Sequence, residues 1–192
     1  MKIYFNLNYD TFTNSYIIVN DDEKVKQVII VDPGKITTKM IEQIEKEKYK
    51  LAAVLITHNH PSHVAGLKTL NKIYTPKIYA ADYEIEGFET ELLTGDGRKK
   101  IAGLIVEYFS IPGHTSDGMA FKIGNVIFTG DSISAGVAGS TQSKYSTKLL
   151  CEKVREKIFS QCDETILMPG HGPPTTTGAE KRFNLDFYKI KS

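Results

Sequence analysis

The chain contains 192 residues, of which 41% are hydrophobic and 24% are charged, and its 24 Lys and Arg residues nearly balance its 23 Asp and Glu residues. This composition is typical of a globular domain and excludes a disordered chain, a collagen-like repeat and a disulfide-rich scaffold. At a length of 192 residues we expect a single domain, residues 1–192. Because the net charge is only +1, we expect that this domain binds no nucleic acid.

The N-terminus and the cysteines predict a cytoplasmic protein. Residues 1–10 lack the apolar core and the cleavage site of a signal peptide, and no run approaches the roughly 18 apolar residues of a membrane span. The two cysteines, Cys151 and Cys162, lack the spacing of a metal site, so we expect both thiols to be buried as small hydrophobic groups. We therefore expect a cytoplasmic chain that does not bind a membrane.

Strand-like and helix-like segments alternate along the first half of the chain, which predicts a layered α/β (α+β) fold. Two β-branched segments that flank the turn-forming residues Asn20, Asp21 and Asp22 predict a hairpin. The predicted elements are strands at 15–20 and 25–31, a helix that Thr37 or Thr38 caps and that runs to about Lys48, and a buried strand at 51–56.

The second half of the chain continues this alternation. Pro61 suits the first turn of a helix, in which Val64, Leu67 and Leu70 recur at helical spacing. The small, uncharged residues 132–143 predict a loop. The other predicted elements are strands at 77–80, 104–110, 126–129 and 165–168, a tight turn at 95–97, and a helix that Ser146 or Thr147 caps and that buries Leu150, Val154 and Ile158.

All five histidines of the chain follow predicted strands, and three of them lie within six residues of one another. A single aspartate, Asp131, has the same position after the strand at 126–129. Because side chains at the carboxyl ends of strands converge on one edge of a layered fold, we expect these groups to meet in one cleft. The residues of this predicted cleft are His58, His60, His63, His114, Asp131 and His171.

This set of side chains predicts a metal centre. Imidazole and carboxylate ligands suit Zn(II), iron or manganese. Six ligands on four loops suit two ions better than one, with the carboxylate of Asp131 bridging them.

The chain resembles the metallo-β-lactamase superfamily, and in particular its glyoxalase II-like branch. The resemblance extends over nearly the whole chain. It implies an αββα sandwich, in which two mixed sheets lie face to face with helices outside. The motifs that carry it are Asn14-Ser15-Tyr16, Val31-Asp32-Pro33-Gly34, Thr57-His58-Asn59-His60-Pro61-Ser62-His63, Pro112-Gly113-His114-Thr115, Phe128-Thr129-Gly130-Asp131 and Pro169-Gly170-His171-Gly172, followed by Glu180 and Asn184.

The resemblance also implies a division of the ligands between two ions. His58, His60 and His114 would bind the first ion, and His63 and His171 would bind the second. Asp131 would bridge the two ions, and Asp32 would support the metal-binding loops through hydrogen bonds. For Asp117, which follows His114 closely, we expect a plain turn role outside the site.

The chain departs from the family pattern at one ligand position. The family signature is H-x-H-x-D-H, and Ser62 occupies the position of its aspartate. In the hydrolases that aspartate binds the second ion and helps to orient the attacking hydroxide. A neutral hydroxyl is a poor substitute for an anionic ligand, so Ser62 is expected to alter the catalytic site. An arginine-bearing Gly-Arg-Thr-Asp stretch of glyoxalase II-like enzymes is likewise replaced, by residues 139–142.

Two functions remain open on these residues. The preferred hypothesis is a diiron protein, akin to the diiron domain of flavodiiron proteins, that binds a small ligand such as dioxygen at an open metal position. It would act in sensing or signalling through a protein partner, with two iron ions preferred and zinc or manganese as alternatives. The competing hypothesis is a metal-dependent hydrolase of a small-molecule thioester or similar carbonyl substrate. A third interpretation is a structural family member with one metal ion or none.

Overall fold

A computed structural model describes residues 1–22 and 24–188. Two six-stranded mixed sheets pack face to face, and helices cover the outer side of each sheet. The structure is therefore the αββα sandwich that the sequence resemblance implies.

The elements up to residue 92 form the first sheet, a separate two-stranded hairpin and three helices that cover the first sheet. In chain order they are β1 (Lys2–Asn8), β2 (Thr13–Val19), β3 (Gln27–Val31), α1 (Thr38–Glu45), β4 (Lys50–Leu55), α2 (Pro61–Val64), α3 (Leu67–Ile73), β5 (Lys77–Ala80), β6 (Glu84–Ile85), β7 (Phe88–Glu89) and β8 (Glu91–Leu92).

The remaining elements form the second sheet, a second two-stranded hairpin and the helices outside the second sheet. They are β9 (Gly97–Ile101), β10 (Leu104–Ser110), β11 (Met119–Ile123), β12 (Val126–Gly130), β13 (Ile133–Ser134), β14 (Val137–Ala138), α4 (Lys144–Lys157), β15 (Ile166–Pro169), β16 (Thr175–Thr176), α5 (Thr177–Phe183) and α6 (Leu185–Tyr188).

Each sheet combines antiparallel and parallel pairs. The first has the order β1-β2-β3-β4-β5-β8, in which β3, β4, β5 and β8 pair in parallel. The second has the order β16-β15-β12-β11-β10-β9, in which β12 and β15 pair in parallel. The carboxyl ends of β12 and β15 therefore lie side by side, and so do those of β3 and β4.

The buried core has three layers, one between the sheets and one under each set of helices. Strand β2 contributes to two of them because its side chains alternate. Tyr16 and Ile18 face the layer between the sheets, while Ile17 and Val19 face the helices of the first sheet. The Tyr16 hydroxyl donates a hydrogen bond to the Pro169 carbonyl at 2.6 Å, which joins the two sheets.

Most predicted elements are present with shifted ends, and the omissions have physical reasons. The prediction lacks β1, β9 and β11, the two-residue strands β6, β7, β8 and β16, and the helices α5 and α6. The first two contain several polar or charged residues (KIYFNLN and GRKKI), which weaken the apolar pattern of a strand. Residues 132–143 contain a short hairpin, β13 and β14, where the sequence predicts only a loop.

Two helix predictions need correction. Helix α4 begins one turn earlier than expected, because the Ser143 side chain accepts the Ser146 N–H. The helix that starts at Pro61 divides into α2 and α3 at Gly66, whose N–H donates to the Pro33 carbonyl at 2.8 Å. A Cβ at Gly66 would collide with that carbonyl, so the close contact requires glycine.

The cysteine prediction is correct for one residue of the two. Cys151 is buried as expected. Cys162 is exposed in the loop before β15, so the Cys162 thiol does not pack in the hydrophobic core. None of the helices formed by the described residues has the length and apolar character needed to cross a membrane.

Candidate metal centre

The structure brings the six predicted ligand residues together at one edge of the sandwich. Each of them lies beyond the carboxyl end of a strand. His58, His60 and His63 follow β4, His114 follows β10, Asp131 follows β12, and His171 follows β15. The ligand atoms form two groups, His58, His60, His114 and Asp131 in one and His63, Asp131 and His171 in the other.

In the first group, three ring nitrogens converge. His60 Nδ1 lies 2.9 Å from His58 Nε2 and 3.2 Å from His114 Nε2. The Oδ2 atom of Asp131 lies 3.9 Å from His58 Nε2 and 3.7 Å from His114 Nε2. Three nitrogens and one carboxylate oxygen therefore surround a common point.

The second group contains the other two histidines, which approach the same carboxylate. His63 Nε2 lies 3.6 Å from Asp131 Oδ2, and His171 Nδ1 lies 2.9 Å from Asp131 Oδ1. Asp131 thus belongs to both groups, which is the position expected of a bridging ligand.

The outer nitrogens of the histidines show that the inner nitrogens are free to bind a cation. His114 Nδ1 lies 2.7 Å from the Ser140 carbonyl, which only accepts, so His114 carries its proton on Nδ1. The Thr57 hydroxyl donates its hydrogen to Asp32, so its oxygen accepts a hydrogen bond from the Nδ1–H of His58. In both residues the lone pair lies on Nε2 and faces the group of converging nitrogens.

His63 is held in a similar way. Its Nδ1 lies 3.0 Å from Asp32 Oδ2, while its buried Nε2 has no hydrogen-bond partner among the described residues. A buried polar atom without a partner is costly, and a metal ion satisfies it. The donor set and this unpartnered nitrogen therefore fit a dinuclear metal site of the kind the sequence implies.

The pKa values reflect the same surroundings. Burial, followed by the charge of His63, lowers the pKa of His58 to about 3. Burial and the neighbouring His114 also lower the pKa of His60. Both imidazoles are therefore neutral at pH 7, the form that binds metal.

The surroundings of His63 and Asp131 favour the charged form of each side chain. Burial lowers the pKa of His63, but Asp32 and Asp131 outweigh this effect and raise it to about 9. Burial alone would raise the pKa of Asp131, yet the hydrogen bond from His171 and the nearby charge of His63 hold it well below its usual range. Asp131 is therefore an anion in the metal-free protein, and a metal ion must displace a proton from His63.

Asp32 and Asp117 both connect loops around the centre. Asp32 accepts the Thr57 N–H at 2.8 Å as well as the hydrogen bond from His63, which is the supporting role expected of it. Asp117 has more than the plain turn role predicted for it. Its Oδ2 atom accepts the Asn59 N–H at 2.7 Å and so links the loop after β10 to the loop after β4.

Ser62 lies on α2 directly before His63 and is half-buried. It offers no carboxylate, so His63, Asp131 and His171 are the histidine and carboxylate ligands of the second group among the described residues. The second group therefore has one member fewer than the first.

Glu180 and Asp186 support the site from a distance, and sequence reasoning assigns them no such role. The buried carboxylate of Glu180 accepts hydrogen bonds from the Gly136 N–H at 3.0 Å and the Thr175 hydroxyl at 2.7 Å. Asp186 accepts the Ala138 N–H at 3.0 Å. These contacts hold the β13–β14 hairpin, and the chain that leaves this hairpin carries the Ser140 carbonyl that orients His114.

A cavity of about 400 Å³ opens beside the first ligand group, and His60 and His114 form part of its wall. A molecule in this cavity would contact the metal-binding edge directly. The arrangement therefore joins a cation site to a space of the size that small-molecule sites have.

Comparisons with known proteins agree with this arrangement. Residues 8–171 match the metallo-beta-lactamase superfamily. The hydroxyacylglutathione hydrolase GloC of Haemophilus influenzae is 29% identical over 200 residues, which cover 90% of this chain and 92% of that protein. A hydroxyacylglutathione hydrolase of Chromohalobacter salexigens is 29% identical over 163 residues; the match covers 83% of this chain and only 63% of that protein.

Solved structures with the same fold include ETHE1 from Myxococcus xanthus, with a TM-score of 0.87, 20% identity, and coverage of 99% of this chain and 89% of that one. TTHA1623 in a di-iron-bound form has a TM-score of 0.78, 22% identity, and coverage of 94% and 98%. At these identities the likeness concerns the fold. The match over residues 8–171 and the hydrolase relatives show that the chain belongs to the metallo-beta-lactamase superfamily and support a place in its glyoxalase II-like branch.

Proposed function

We propose that the protein is a metal-dependent hydrolase of a thioester or a similar carbonyl substrate. The observation that carries this proposal is the position of Asp131, which belongs to two ligand groups beside an open cavity. Relatives called hydroxyacylglutathione hydrolase favour this function over oxygen sensing, the preferred hypothesis from the sequence.

Two divalent cations at these groups would supply a Lewis acid for the substrate carbonyl. They would also lower the pKa of a bound water toward neutrality. The residues of the chain prepare the site for this chemistry. Ser140, Thr57 and Asp32 fix the ring orientations of the three histidines that they contact. The anionic Asp131 would offset part of the positive charge of the two cations. The cavity gives a substrate access to His60 and His114.

The test is to purify the protein without oxygen or added metal, measure its metal content, and assay hydrolysis of thioesters. We expect two metal ions per chain and hydrolysis that a chelator abolishes and that zinc, iron or manganese restores. Asp131→Asn should lose activity by on the order of a hundredfold or more. The matched control is Asp21→Asn, which changes an exposed aspartate at the other end of β2. Wild-type protein that holds two ions and cleaves no thioester would refute the proposal.

A second candidate is the binding of a small ligand such as dioxygen by a diiron form, with a role in sensing through a protein partner. The three-membered second group favours it, because Ser62 supplies no carboxylate ligand at the position of the signature aspartate. The structural likeness to a protein solved in a di-iron-bound form is consistent with it. Metal analysis separates the two candidates: two irons and dioxygen uptake without hydrolysis support the second, and hydrolysis with either metal supports the first.

A further inference from the structure

The cavity beside the first ligand group also indicates the class of substrate, an inference that rests on the hydrolase function proposed above. Apart from His60 and His114, none of the described residues that line the cavity is ionisable. The side chains that line it include Pro112, Thr115, Ser116, Gln142, Ser146 and Leu149. The wall therefore contains no Lys or Arg to pair with an anionic group of a substrate.

The charges around this wall also disfavour an anion. Asp117 follows the lining residue Ser116, and its carboxylate is held at the Asn59 N–H, next to His60 in the chain. Two exposed lysines of α4, Lys144 and Lys148, are neighbours of lining residues in the sequence, but neither lines the cavity. A substrate carboxylate held against the part of the wall away from the metal ligands would lose hydration without gaining a cationic side chain as a partner.

The wall does offer uncharged hydrogen-bonding groups. Thr115 lines the cavity, and its buried hydroxyl has no hydrogen-bond partner among the described residues, so a rotation of this side chain would present an unpaired polar group to a ligand. Gln142 is exposed at the rim and adds an amide donor and an acceptor. Leu149 and Pro112 supply apolar surface beside these groups.

We propose that the substrate is a small thioester whose thiol portion is uncharged and polar, and that this cavity holds that portion. Thioesters of glutathione, with two carboxylates, are then poor substrates. The Thr115 hydroxyl binds a carbonyl or hydroxyl of the substrate, and the absence of cationic side chains selects against anionic thiols.

Two thioesters with the same acyl group test the proposal, one of N-acetylcysteamine, which is uncharged, and one of glutathione. We expect kcat/KM to be at least about tenfold higher for the uncharged thioester in the metal-loaded protein. A preference for the glutathione thioester overturns this inference and leaves the hydrolase function standing. Failure to cleave either thioester overturns both.

An added cation should reverse the selectivity. Gln142→Arg places a guanidinium at the rim, and the ratio of kcat/KM for the glutathione thioester to that for the uncharged one should rise by on the order of tenfold. Ser116→Arg, at a second exposed lining position, guards against a folding defect in the first variant. Lys144→Gln is the control and should leave the ratio unchanged. A fall in that ratio in Lys144→Gln would show that Lys144 binds anionic substrates, contrary to the proposal.

Binding to the metal-free protein gives a readout that is independent of catalysis. The S-ethyl thioethers of N-acetylcysteamine and glutathione are inert analogues of the two thiols. We expect the first to shift the backbone amide NMR signals of Thr115, Gln142 and Leu149 at lower concentration than the second. Thr115→Val should weaken binding of the first thioether, while equal shifts by both thioethers would contradict the proposal.

Discussion

The Nδ1 atom of His63 lies 3.0 Å from the Oδ2 atom of Asp32, and both side chains are buried. The same carboxylate accepts the backbone N–H and the hydroxyl of Thr57, whose hydroxyl in turn contacts His58 Nδ1 at 3.1 Å. One carboxylate therefore orients a histidine of each ligand group.

Replacing that carboxylate should weaken metal binding. Asp32→Asn removes the charge that holds the His63 proton on Nδ1, so we expect metal affinity to fall by about 10-fold to 100-fold. Competition with a chromophoric chelator measures the affinity. Asp21→Asn, an exposed change, serves as the control and should bind metal like the wild type. Unchanged affinity in Asp32→Asn would show that Asp32 does not act through His63.

The stability of the metal-free protein should depend on pH through His63. Its folded pKa, raised to about 9 by Asp32 and Asp131 despite burial, lies above the ordinary value of 6.5. The stabilisation of the folded state by the protonated His63 is therefore complete below pH 6.5 and is lost as the pH rises through 9. We therefore expect Tm, measured with a chelator present, to fall between pH 6.5 and 9.

Zinc and a variant provide the controls for this pH dependence. With zinc bound, His63 carries no Nε2 proton, so its contribution to the slope should disappear. His63→Gln should flatten the slope of the metal-free protein even if the variant is less stable at every pH. An identical slope in the wild type and in His63→Gln would assign the pH dependence to other groups.

The buried carboxylate of Glu180 should stabilise the β13–β14 hairpin. Glu180→Ala removes the acceptor for the Gly136 N–H and for the Asn184 amide, which lies 2.7 Å away, so we expect a loss of about 2–3 kcal/mol in the free energy of unfolding. Amide hydrogen exchange should accelerate in the hairpin. Glu164→Ala, at an exposed position, is the matched control and should change stability by less than about 0.5 kcal/mol.

A carboxylate at position 62 should increase hydrolysis. Ser62→Asp adds an anionic group at the position of the signature aspartate, and we expect kcat/KM for a thioester to rise by on the order of a hundredfold. Ser62→Asn, which has the same shape without the charge, separates charge from size. Equal activity in the two variants would show that the negative charge of the side chain is not what the wild-type site lacks.

The sequence alone was sufficient to predict the fold class and the convergence of the six candidate ligand residues at one edge. All five histidines and Asp131 follow strands, which local sequence patterns predict. The topology of layered α/β folds then places the carboxyl ends of those strands at one edge. The division of the ligands between two groups followed from the family resemblance and agrees with the distances. Strands with mixed polarity, such as β1, had weaker local signals because packing rather than an apolar pattern stabilises them.

Tertiary structure decided how these residues are oriented and what surrounds them. Thr13 and His171 are 158 residues apart, and only the packing of the two sheets brings them within hydrogen-bond distance. Asp32 and His63 are 31 residues apart and meet because the parallel strands β3 and β4 are neighbours in the first sheet. The support that Glu180 gives to the hairpin before Ser140 has the same origin, since it joins segments 44 residues apart. The uncharged wall of the cavity is likewise formed by two separate segments, the loop after β10 and the start of α4. Contacts of this kind depend on long-range packing, which local sequence patterns do not encode.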